Sequence, residues 1–269
     1  MTGAAISLDD ARKERHLARR LVARVVTPGA LSPATIDEAY ALFAAAYAGT
    51  DRSRFANDLA EKQRVILLHD RETGQLKGFS TVLLSEIATS RGPATLVFSG
   101  DTVVDRAYWG QKELQLAVAA LLLSLKLRQP RRPLYWFLIS KGYRTYLILA
   151  NAFPRSIPRD GAAEDAELRA MLDHVAGERF GDEYNAATGI IRHTVPQEYV
   201  RDGVAPVTAA ALRNRHVRFF VDRNPSHGVG DELACLAVVR VRDLLIAMAR
   251  FLVRRASRTV GFDIGRSAR

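Results

Sequence analysis

The segment LVFSGDTVVDRAYWGQKELQLAVAALLLSLKL, residues 96–127, decides the fold, because it indicates a strand, a tight turn and a long helix in immediate succession. Residues 96–104 are mostly apolar and β-branched, and Gly100 interrupts them; a glycine inside a strand often marks a β-bulge or a close backbone approach. From about Gly110 onward the apolar residues cover more than one helical face, so this helix is expected to be largely buried.

The turn inside this segment, residues 108–112, combines backbone N–H groups, the start of a helix and a lysine. Helix N-termini attract anions, because their free N–H groups and the helix dipole favour negative charge. The turn therefore fits a phosphate or pyrophosphate group. An ordinary connection between a strand and a helix is the alternative, since one glycine at a helix start is weak evidence for an anion site.

The composition indicates a globular protein with a basic surface. The chain has 269 residues, of which 48% are apolar, and a formal net charge of +10 from 39 Lys and Arg against 29 Asp and Glu. This length allows a buried core, and the positive charge either attracts anionic partners or simply favours solubility. Nucleic acid is not the expected partner, because we find no zinc-finger spacing, no aromatic RNA-binding motif and no clear helix-turn-helix.

Cysteine content and hydropathy indicate the compartment. The single cysteine, Cys235, leaves no internal disulfide and fits a reducing cytoplasm, and no spacing of ligands suggests a metal site. The charged N-terminus lacks the apolar core of a secretory signal, and no apolar run reaches the roughly 20 residues of a membrane span. We therefore expect a cytoplasmic protein. A basic amphipathic helix over residues 243–255 either packs on the core or attaches the protein to an anionic membrane at its inner face.

The remaining chain alternates predicted strands and helices. Ser32 is a suitable N-cap for a helix that begins at Pro33, and a loop containing Gly74 indicates an antiparallel hairpin. Alternation of this kind predicts a mixed α/β sheet. Strands are expected over residues 21–27, 65–68, 76–84, 95–104, 134–140, 190–194 and 217–221, and further helices over 33–47, 53–62, 142–152 and 164–176.

The order of these elements resembles the GCN5-related N-acetyltransferase (GNAT) superfamily: strand, two helices, hairpin, long strand, turn and helix, strand and helix, then two closing strands. The resemblance covers residues 20–221, and its most specific part is VVDRAYWGQKEL, residues 103–114, which is similar to the donor-binding turn of the family. It implies a divergent member with a GNAT-like mixed, mostly antiparallel central sheet flanked by helices, a helical insertion and a C-terminal helix.

Three parts of the chain are expected on this basis. A charged N-terminal segment occupies residues 1–19, a GNAT-like acyltransferase domain residues 20–234, and an apolar segment with the basic amphipathic helix residues 235–269. Within the domain, residues 154–188 change in composition and predict an insertion with a polar helix. This insertion is either a lid over the site or a surface feature without function.

In the family, the donor-binding turn cradles the pyrophosphate of coenzyme A with an R-G-x-G-x-A type sequence that follows a strand valine. Val104 and Gly110 match this pattern. Trp109, Lys112 and Leu114 depart from it, since they replace an Arg or Gln, the second glycine and a small residue. Lost small residues restrict the approach of the backbone, whereas Lys112 offers an ammonium group to a phosphate. The residues expected to bind the donor are Val103, Val104, Trp109, Gly110, Gln111 and Lys112.

The resemblance also implies the donor and the reaction. The donor is an acyl-CoA or an acyl-carrier-protein thioester, and a long-chain acyl group or an acidic carrier protein would suit the altered turn and the basic surface. An amine of a small-molecule acceptor attacks the thioester carbonyl directly, with the thioester arm between two splayed strands, residues 96–104 and 134–140. Bulge N–H groups near Val103 and Val104 would stabilise the oxyanion.

A base must remove the proton of the amine, and an acid assists the leaving thiolate. Asp101 is the preferred base, with Ser99 on the same strand face by the two-residue period, and Glu86 is second. Stabilisation of the bulge is the alternative role of Asp101. Where the family often has a tyrosine acid this chain has Ile148, so the nearby candidates are Tyr143 and Tyr146, both of which are also typical packing residues.

A second polar cluster, residues 219–236, contains His227, Asp231 and Glu232, which either reach the acceptor amine or cap a turn. Three functions follow from these observations. The first is an N-acyltransferase, and the second is a GNAT-like acyl-CoA-binding protein without catalysis. The third is a basic peripheral membrane-binding protein, which is compatible with the first. Fold resemblance does not identify the acceptor.

Overall fold

The protein is represented by a computed structural model that describes residues 20–163, 165–193, 199–200 and 207–263, with the backbone alone for 199–200 and 254–263. The expected charged segment, residues 1–19, lies outside the described residues. The described helices are α1 (Pro33–Ala46), α2 (Arg52–Glu61), α3 (Glu113–Arg128), α4 (Tyr143–Ala152), α5 (Ala166–Phe180), α6 (Arg215–Arg223) and α7 (Val241–Asp263). The described strands are β1 (Leu21–Val26), β2 (Tyr47–Ala48), β3 (Arg64–Asp70), β4 (Leu76–Thr89), β5 (Gly92–Val104), β6 (Leu134–Ser140), β7 (Ser156–Ile157), β8 (Tyr184–Asn185), β9 (Ile190–Ile191), β10 (Tyr199–Val200) and β11 (Glu232–Val238).

Nine strands form one sheet in the order β1-β3-β4-β5-β6-β11-β9-β8, with β7 paired to β11, while β2 and β10 pair separately. In this sheet β5 and β6 pair in parallel, because the crossover through α3 returns the chain to the same end, and the other described pairings are antiparallel. The predicted GNAT-like mixed, mostly antiparallel sheet flanked by helices is confirmed.

Helices cover both faces of this sheet. On one face, here called the α3 face, α3 and α7 pack with Trp136, Tyr146 and Leu244 in a single apolar cluster. On the opposite face, the α5 face, α5 packs on Phe98 and Phe137, while α1 and α2 pack on the β3 end of the sheet. The alternation of side chains along each strand supplies both layers, as expected for an interior sheet.

The predicted boundaries of several early elements agree with the structure. Ser32 caps α1 and its hydroxyl accepts a hydrogen bond from the Thr35 N–H, with Pro33 at the first position. The predicted hairpin is formed by β3 and β4, and its loop contains Gly74 at a positive φ of 69°. The long helix begins at Glu113 rather than near Gly110, because Gly110 adopts φ 91°, outside the helical region.

Two predictions about the end of the domain are wrong. Residues 217–221 belong to helix α6, whose buried residues Val217 and Phe220 follow a helical spacing rather than strand alternation. The closing strand is β11, which lies between β6 and β9 in the sheet. The expected boundary after residue 234 therefore falls inside an interior strand, and the apolar segment that follows is part of the core.

The predicted insertion, residues 154–188, is also an integral part of the fold. Its helix begins at Ala166, where the Asp165 side chain accepts a hydrogen bond from the Leu168 N–H. Leu168 and Leu172 are each 1% exposed and pack against the sheet. Burying a leucine of this kind contributes about 1.5–3 kcal/mol. Neither a mobile lid nor a surface insertion describes α5, since its apolar residues complete the α5 face.

Candidate active site

A wedge between β5 and β6 is the main opening in the sheet. The parallel pairing runs from Thr95 and Leu134 to Ser99 and Leu138 and then ends. Beyond that point β5 continues to Val104 on β4 only, whereas β6 continues on β11 only. The two central strands therefore splay, as the family resemblance implied. We call the space between residues 100–104 and 139–140 the wedge.

A β-bulge marks the start of the wedge. Ser80 pairs with Thr102, and Val82 pairs with Ser99, so two residues of β5, Gly100 and Asp101, lie opposite the single residue Thr81. The predicted bulge near Val103 and Val104 is wrong, because Val103 pairs regularly with Phe79 and Val104 with Gly78. Any oxyanion site that uses the bulge backbone is therefore centred on residues 100–101.

This bulge separates two predicted site residues, Ser99 and Asp101. The Ser99 hydroxyl accepts a hydrogen bond from the indole Nε1 of Trp136 at 2.7 Å, on the α3 face. Thr102 lies on that same face, since its hydroxyl is 2.7 Å from that of Ser80. Asp101, the neighbour of Thr102, therefore lies on the α5 face. The expectation that Ser99 and Asp101 share a face is wrong, because the extra residue of the bulge shifts the two-residue period.

The predicted donor-binding turn follows directly after β5. Trp109 donates from its indole Nε1 to the carbonyl oxygen of Val104 at 2.8 Å, which fixes the ring against the end of the strand. Gln111 accepts a hydrogen bond from the Leu21 N–H through Oε1 at 3.0 Å, so its side chain ties the turn to β1. Gly110, with φ 91°, makes the change of direction, and Lys112 is the N-cap residue of α3. Val103 is buried in the core beside α1 and α2 and does not face this turn.

Two arginines lie over the indole of Trp109. The guanidinium of Arg144, from the first turn of α4, is 4.4 Å from the ring centroid, and that of Arg106 is 5.3 Å away. Cation–π contacts of this kind hold guanidinium groups in place while their N–H groups stay available to an anion. The turn thus joins a helix N-terminus to fixed positive charge, although Glu113 in the first turn of α3 opposes that charge.

Tyr108 anchors the same turn to the end of strand β3. Its hydroxyl donates to Oδ2 of Asp70 at 2.7 Å, and both residues are buried. Asp70 also accepts from the backbone N–H groups of Glu72 and Thr73. These hydrogen bonds, the one from Thr73 first and then the one from Tyr108, lower the pKa of Asp70 to about 2. The turn is therefore fixed to the hairpin loop by a charged hydrogen bond.

A set of polar side chains crosses the α5 face at the end of the sheet where the wedge opens. We call it the polar row; its members are Lys62, Thr81, Asp101, Lys141, Glu232 and His193. Lys141 follows β6 and Glu232 begins β11, so strand order alone places them side by side. The surrounding face is apolar, and polar groups of this density in such a place are typical of a site.

One end of the polar row is an acid–base chain. The two ring nitrogens of His193 lie 2.9 Å from Oε2 of Glu183 and 3.1 Å from Oε2 of Glu232. Nζ of Lys141 lies 3.6 Å from Oε1 of Glu232. Glu232 is 5% exposed. The hydrogen bond to Glu232, opposed by burial and supported by Glu183, raises the pKa of His193. Glu232 therefore lies between two basic side chains, those of His193 and Lys141.

Three further predicted site residues lie away from the wedge or in the core. Glu86 pairs with Thr95 on the far side of the bulge, is largely exposed and forms an ion pair with Arg132. Tyr146 is fully buried on the α3 face, where its hydroxyl donates to the Pro158 carbonyl at 3.3 Å. Burial raises the pKa of Tyr146, and its contacts place the side chain in the core of the α3 face. Tyr143 begins α4 just after β6 and is 8% exposed.

The remaining sequence candidates divide between capping and the polar row. His227 lies 2.8 Å from the Asn224 carbonyl through Nδ1, and Asp231 is paired with Arg192, so both stabilise the turn before β11. Glu232 instead joins the polar row. Sequence reasoning missed Lys62, Thr81 and His193, since a lysine at a helix end or a threonine in a strand gives no local signal. Only strand register brings them together.

Other kinds of site find little support in the described part of the chain. No group of three His, Cys, Asp or Glu residues converges there in a way that suits a metal ion. Cys235 is fully buried, and burial raises the pKa of its thiol. A groove of about 630 Å³ runs between β1 and α3 and is separate from the wedge. None of the described helices is both long enough and apolar enough to span a membrane.

Comparison with known proteins gives matches among solved structures. No family model matches the sequence, and no curated protein matches it. A conserved Enterococcus faecalis protein, described as a probable N-acyltransferase, is 16% identical with a TM-score of 0.37, over 59% of this chain and 44% of its own. An Escherichia coli GNAT family N-acetyltransferase, solved in complex with CoA, is 19% identical with a TM-score of 0.34, over 48% of this chain and 66% of its own.

An N-acyl amino acid synthase from uncultured soil microbes is 16% identical with a TM-score of 0.36, over 52% of this chain and 81% of its own. This chain spans less than two thirds of the length of the first two proteins. The similarities concern about half of the chain.

Proposed function

We propose that the protein is an N-acyltransferase that moves an acyl group from a thioester donor to an amine. The observation that supports this function best is the wedge: two central strands separate at a bulge, between a basic turn and the polar row. A thioester arm fits between the splayed strands, and strand edges can hold its amide groups by hydrogen bonds. The phosphates of the donor then reach the turn at residues 108–112.

The reaction needs a base on the acceptor side. Asp101 lies on the α5 face beside the bulge, which is the side on which the polar row provides room for charged groups. The amine nitrogen attacks the carbonyl carbon, Asp101 takes its proton directly or through water, and the carbon–sulfur bond breaks. Glu232 already contacts Lys141 and His193, so we assign it to the binding of an ammonium group and not to proton abstraction.

Two thioester donors suit the basic turn. Arg106 and Arg144 lie over Trp109, and with Lys112 at the N-cap of α3 they form a positively charged surface at the entrance of the wedge. Such a surface attracts the phosphates of an acyl-CoA or the acidic surface of an acyl-carrier protein. The acceptor in this proposal is a small-molecule amine, since Asp101 and Glu232 offer negative charge to an ammonium group beside the bulge.

Thiol release tests the proposal. Purified protein is incubated with acetyl-CoA, octanoyl-CoA or octanoyl-carrier protein and a panel of amines, and the free thiol is quantified. Turnover with one donor and one amine is expected, and no turnover with any pair would contradict the function. Calorimetry distinguishes this function from the alternative, a binding protein without catalysis. In that case the donor binds but no thiol is released, and an Asp101→Asn variant binds the donor as the wild type does and also releases no thiol.

We propose in addition that the protein works at an anionic membrane surface on the cytoplasmic side. The observation that favours this is the outer face of α7, where Leu245, Ile246, Leu252 and Val253 are 48–68% exposed. Arg242 and Arg250 are exposed on the same helix. An exposed apolar face with flanking arginines suits the interface of an anionic bilayer, and a surface location is useful to an enzyme with long acyl chains.

A further inference from the structure

Thr81 has an unusual environment for a buried hydroxyl group. Its side chain lies on β4 directly opposite the bulge and is 1% exposed, yet Oγ1 has no hydrogen-bond partner among the described residues. A buried hydroxyl without a partner destabilises a protein, and valine would fill the same space without that cost. A threonine here is therefore better explained by a ligand than by folding.

Gly100 allows the Thr81 hydroxyl to approach the backbone of the bulge closely. A Cβ atom at position 100 would lie 2.6 Å from Thr81 Oγ1, which is closer than real contacts allow, and 3.5 Å from Cε of Lys62. The backbone of Gly100 does not have a positive φ, so its conformation does not require glycine. The close approach of Thr81 explains why a glycine occupies this position. The hydroxyl thus lies directly over the backbone at the start of the wedge.

Lys62 adds positive charge at the same place. Its side chain is 2% exposed, and its Nζ donates to Oδ1 of Asp58 at 2.6 Å. Asp58 is 41% exposed, so water screens the carboxylate more strongly than the buried ammonium group. An unpartnered hydroxyl and the buried side chain of a lysine therefore both lie beside Gly100, where negative charge would be stabilised.

We propose that Thr81 is a catalytic residue that donates a hydrogen bond to the thioester carbonyl oxygen, supported by the charge of Lys62. This assignment rests on the proposed acyltransferase function. When the amine nitrogen bonds to the carbonyl carbon, the carbonyl π electrons move to the oxygen, and the hydroxyl of Thr81 stabilises that oxyanion. Collapse restores the carbonyl, breaks the carbon–sulfur bond and releases the thiolate, while the base holds the amine proton. No oxidation or reduction takes place.

Kinetics of Thr81→Val, with Thr81→Ser and Ser80→Ala as controls, test the assignment. Ser80 is the neighbour of Thr81 on β4, lies on the opposite face, and its hydroxyl is hydrogen-bonded to that of Thr102. We expect Thr81→Val to lower kcat about 10- to 100-fold and to raise the donor KM up to about tenfold, with a higher midpoint of thermal unfolding. Thr81→Ser should keep most of the activity, and Ser80→Ala should keep kcat but lower the midpoint. A Thr81→Val enzyme within twofold of the wild type would overturn the assignment.

Binding of unreactive donors separates this assignment from the function. The probes are acetyl- and octanoyl-carba(dethia)-CoA, in which a methylene replaces the sulfur, and CoA itself. We expect Thr81→Val to bind the carbonyl-bearing probes about tenfold more weakly and CoA equally well. If Thr81→Val weakens only the carbonyl-bearing probes but the wild type shows no turnover, the acyltransferase function is contradicted, while the contact between Thr81 and the carbonyl is supported. Equal loss for all three ligands, or no binding of either analogue to the wild type, would overturn the contact.

Discussion

Asp101 and Glu86 are the two carboxylates that the sequence offers as the base, and their surroundings in the structure differ. Asp101 lies beside the bulge on the face of the polar row, whereas Glu86 pairs with Arg132 and lies beyond the parallel part of β5. We expect Asp101→Asn to lower kcat about 100-fold or more, because the amide does not accept the proton. Steady-state thiol release over pH 6–9 is the measurement.

Glu86→Gln is the control for Asp101, and it should leave kcat within twofold of the wild type. A large loss in Glu86→Gln with full activity in Asp101→Asn would reverse the assignment. If Asp101→Asn instead lowers the midpoint of thermal unfolding and leaves kcat intact, the carboxylate stabilises the bulge and is not the base.

His193 links the polar row to the pH dependence of stability. Its hydrogen bonds to Glu232 and Glu183 raise its pKa in the folded state above the unfolded value of about 6.5. The protonated form is therefore stabilised by folding. Its contribution is fully present below pH 6.5 and is lost as the pH rises through the folded pKa.

Replacement of His193 by Gln should therefore destabilise the protein more at pH 6 than at pH 9. We expect a loss of about 1–2 kcal/mol in the free energy of unfolding at pH 6, which shrinks at higher pH. Urea unfolding at both values measures it. His174→Gln, at an exposed position of α5, is the matched control and should show no such dependence. A loss that grows with pH would contradict the protonated assignment.

At the scale of elements, the turn between β5 and α3 is held by contacts that the sequence pattern did not indicate. Trp109 is hydrogen-bonded to Val104, Tyr108 to Asp70 and Gln111 to Leu21. Three residues of the turn are therefore fixed to three different parts of the sheet. These three contacts therefore hold the turn in a defined position relative to β1, β5 and the β3–β4 loop.

Gly110 is the position in this turn at which the backbone requires glycine, since its φ is 91°. We expect Gly110→Ala to lower the free energy of unfolding by about 1 kcal/mol or more and to weaken CoA binding, because an L-residue is strained at this φ. Gly177→Ala, inside α5 with no atom within 4 Å of the added Cβ, should instead raise stability by about 0.5–1 kcal/mol. Unfolding curves and calorimetry with CoA test both variants, and unchanged CoA affinity in Gly110→Ala would argue against the turn as the phosphate site.

The element boundaries themselves show which signals are local. Strand β6 was predicted with its observed bounds, and α1 starts at its predicted cap, because alternation and capping are encoded within a few residues. Residues 217–221 failed as a strand because five residues are too few to separate the two periods. The buried residues Val217 and Phe220 become recognisable as a helical face only when α4 is packed against them.

At the scale of the whole molecule, one side of α7 packs on the core and the other side is exposed. Leu244 and Ala247 pack on the core, while Leu245 and Leu252 on the outer face are exposed. We expect the wild type to co-sediment with vesicles that contain anionic lipid, more weakly as salt increases. A double variant, Leu245→Glu with Leu252→Glu, should reduce the bound fraction at least about fivefold, because two charges enter the apolar face.

Val229→Glu is the control for this experiment, since Val229 is 80% exposed on a different element. It should bind vesicles as the wild type does. Retention of full binding by the α7 double variant would remove this helix from the membrane proposal, and equal loss in Val229→Glu would indicate a general effect of added negative charge.

The sequence by itself determined the alternation of strands and helices, the bounds of β6 and the glycine-containing turn between β5 and α3. These features depend on periodicity, capping and glycine placement over short distances, which a sequence displays directly. Tertiary structure alone decided which side chains meet at the wedge. The single extra residue at Gly100–Asp101 turns Asp101 away from Ser99, and the register of β11 against β6 brings Glu232 to Lys141. Register is set by packing across the whole sheet, so residues far apart in the chain, such as Lys62, Thr81 and His193, form one site only after folding.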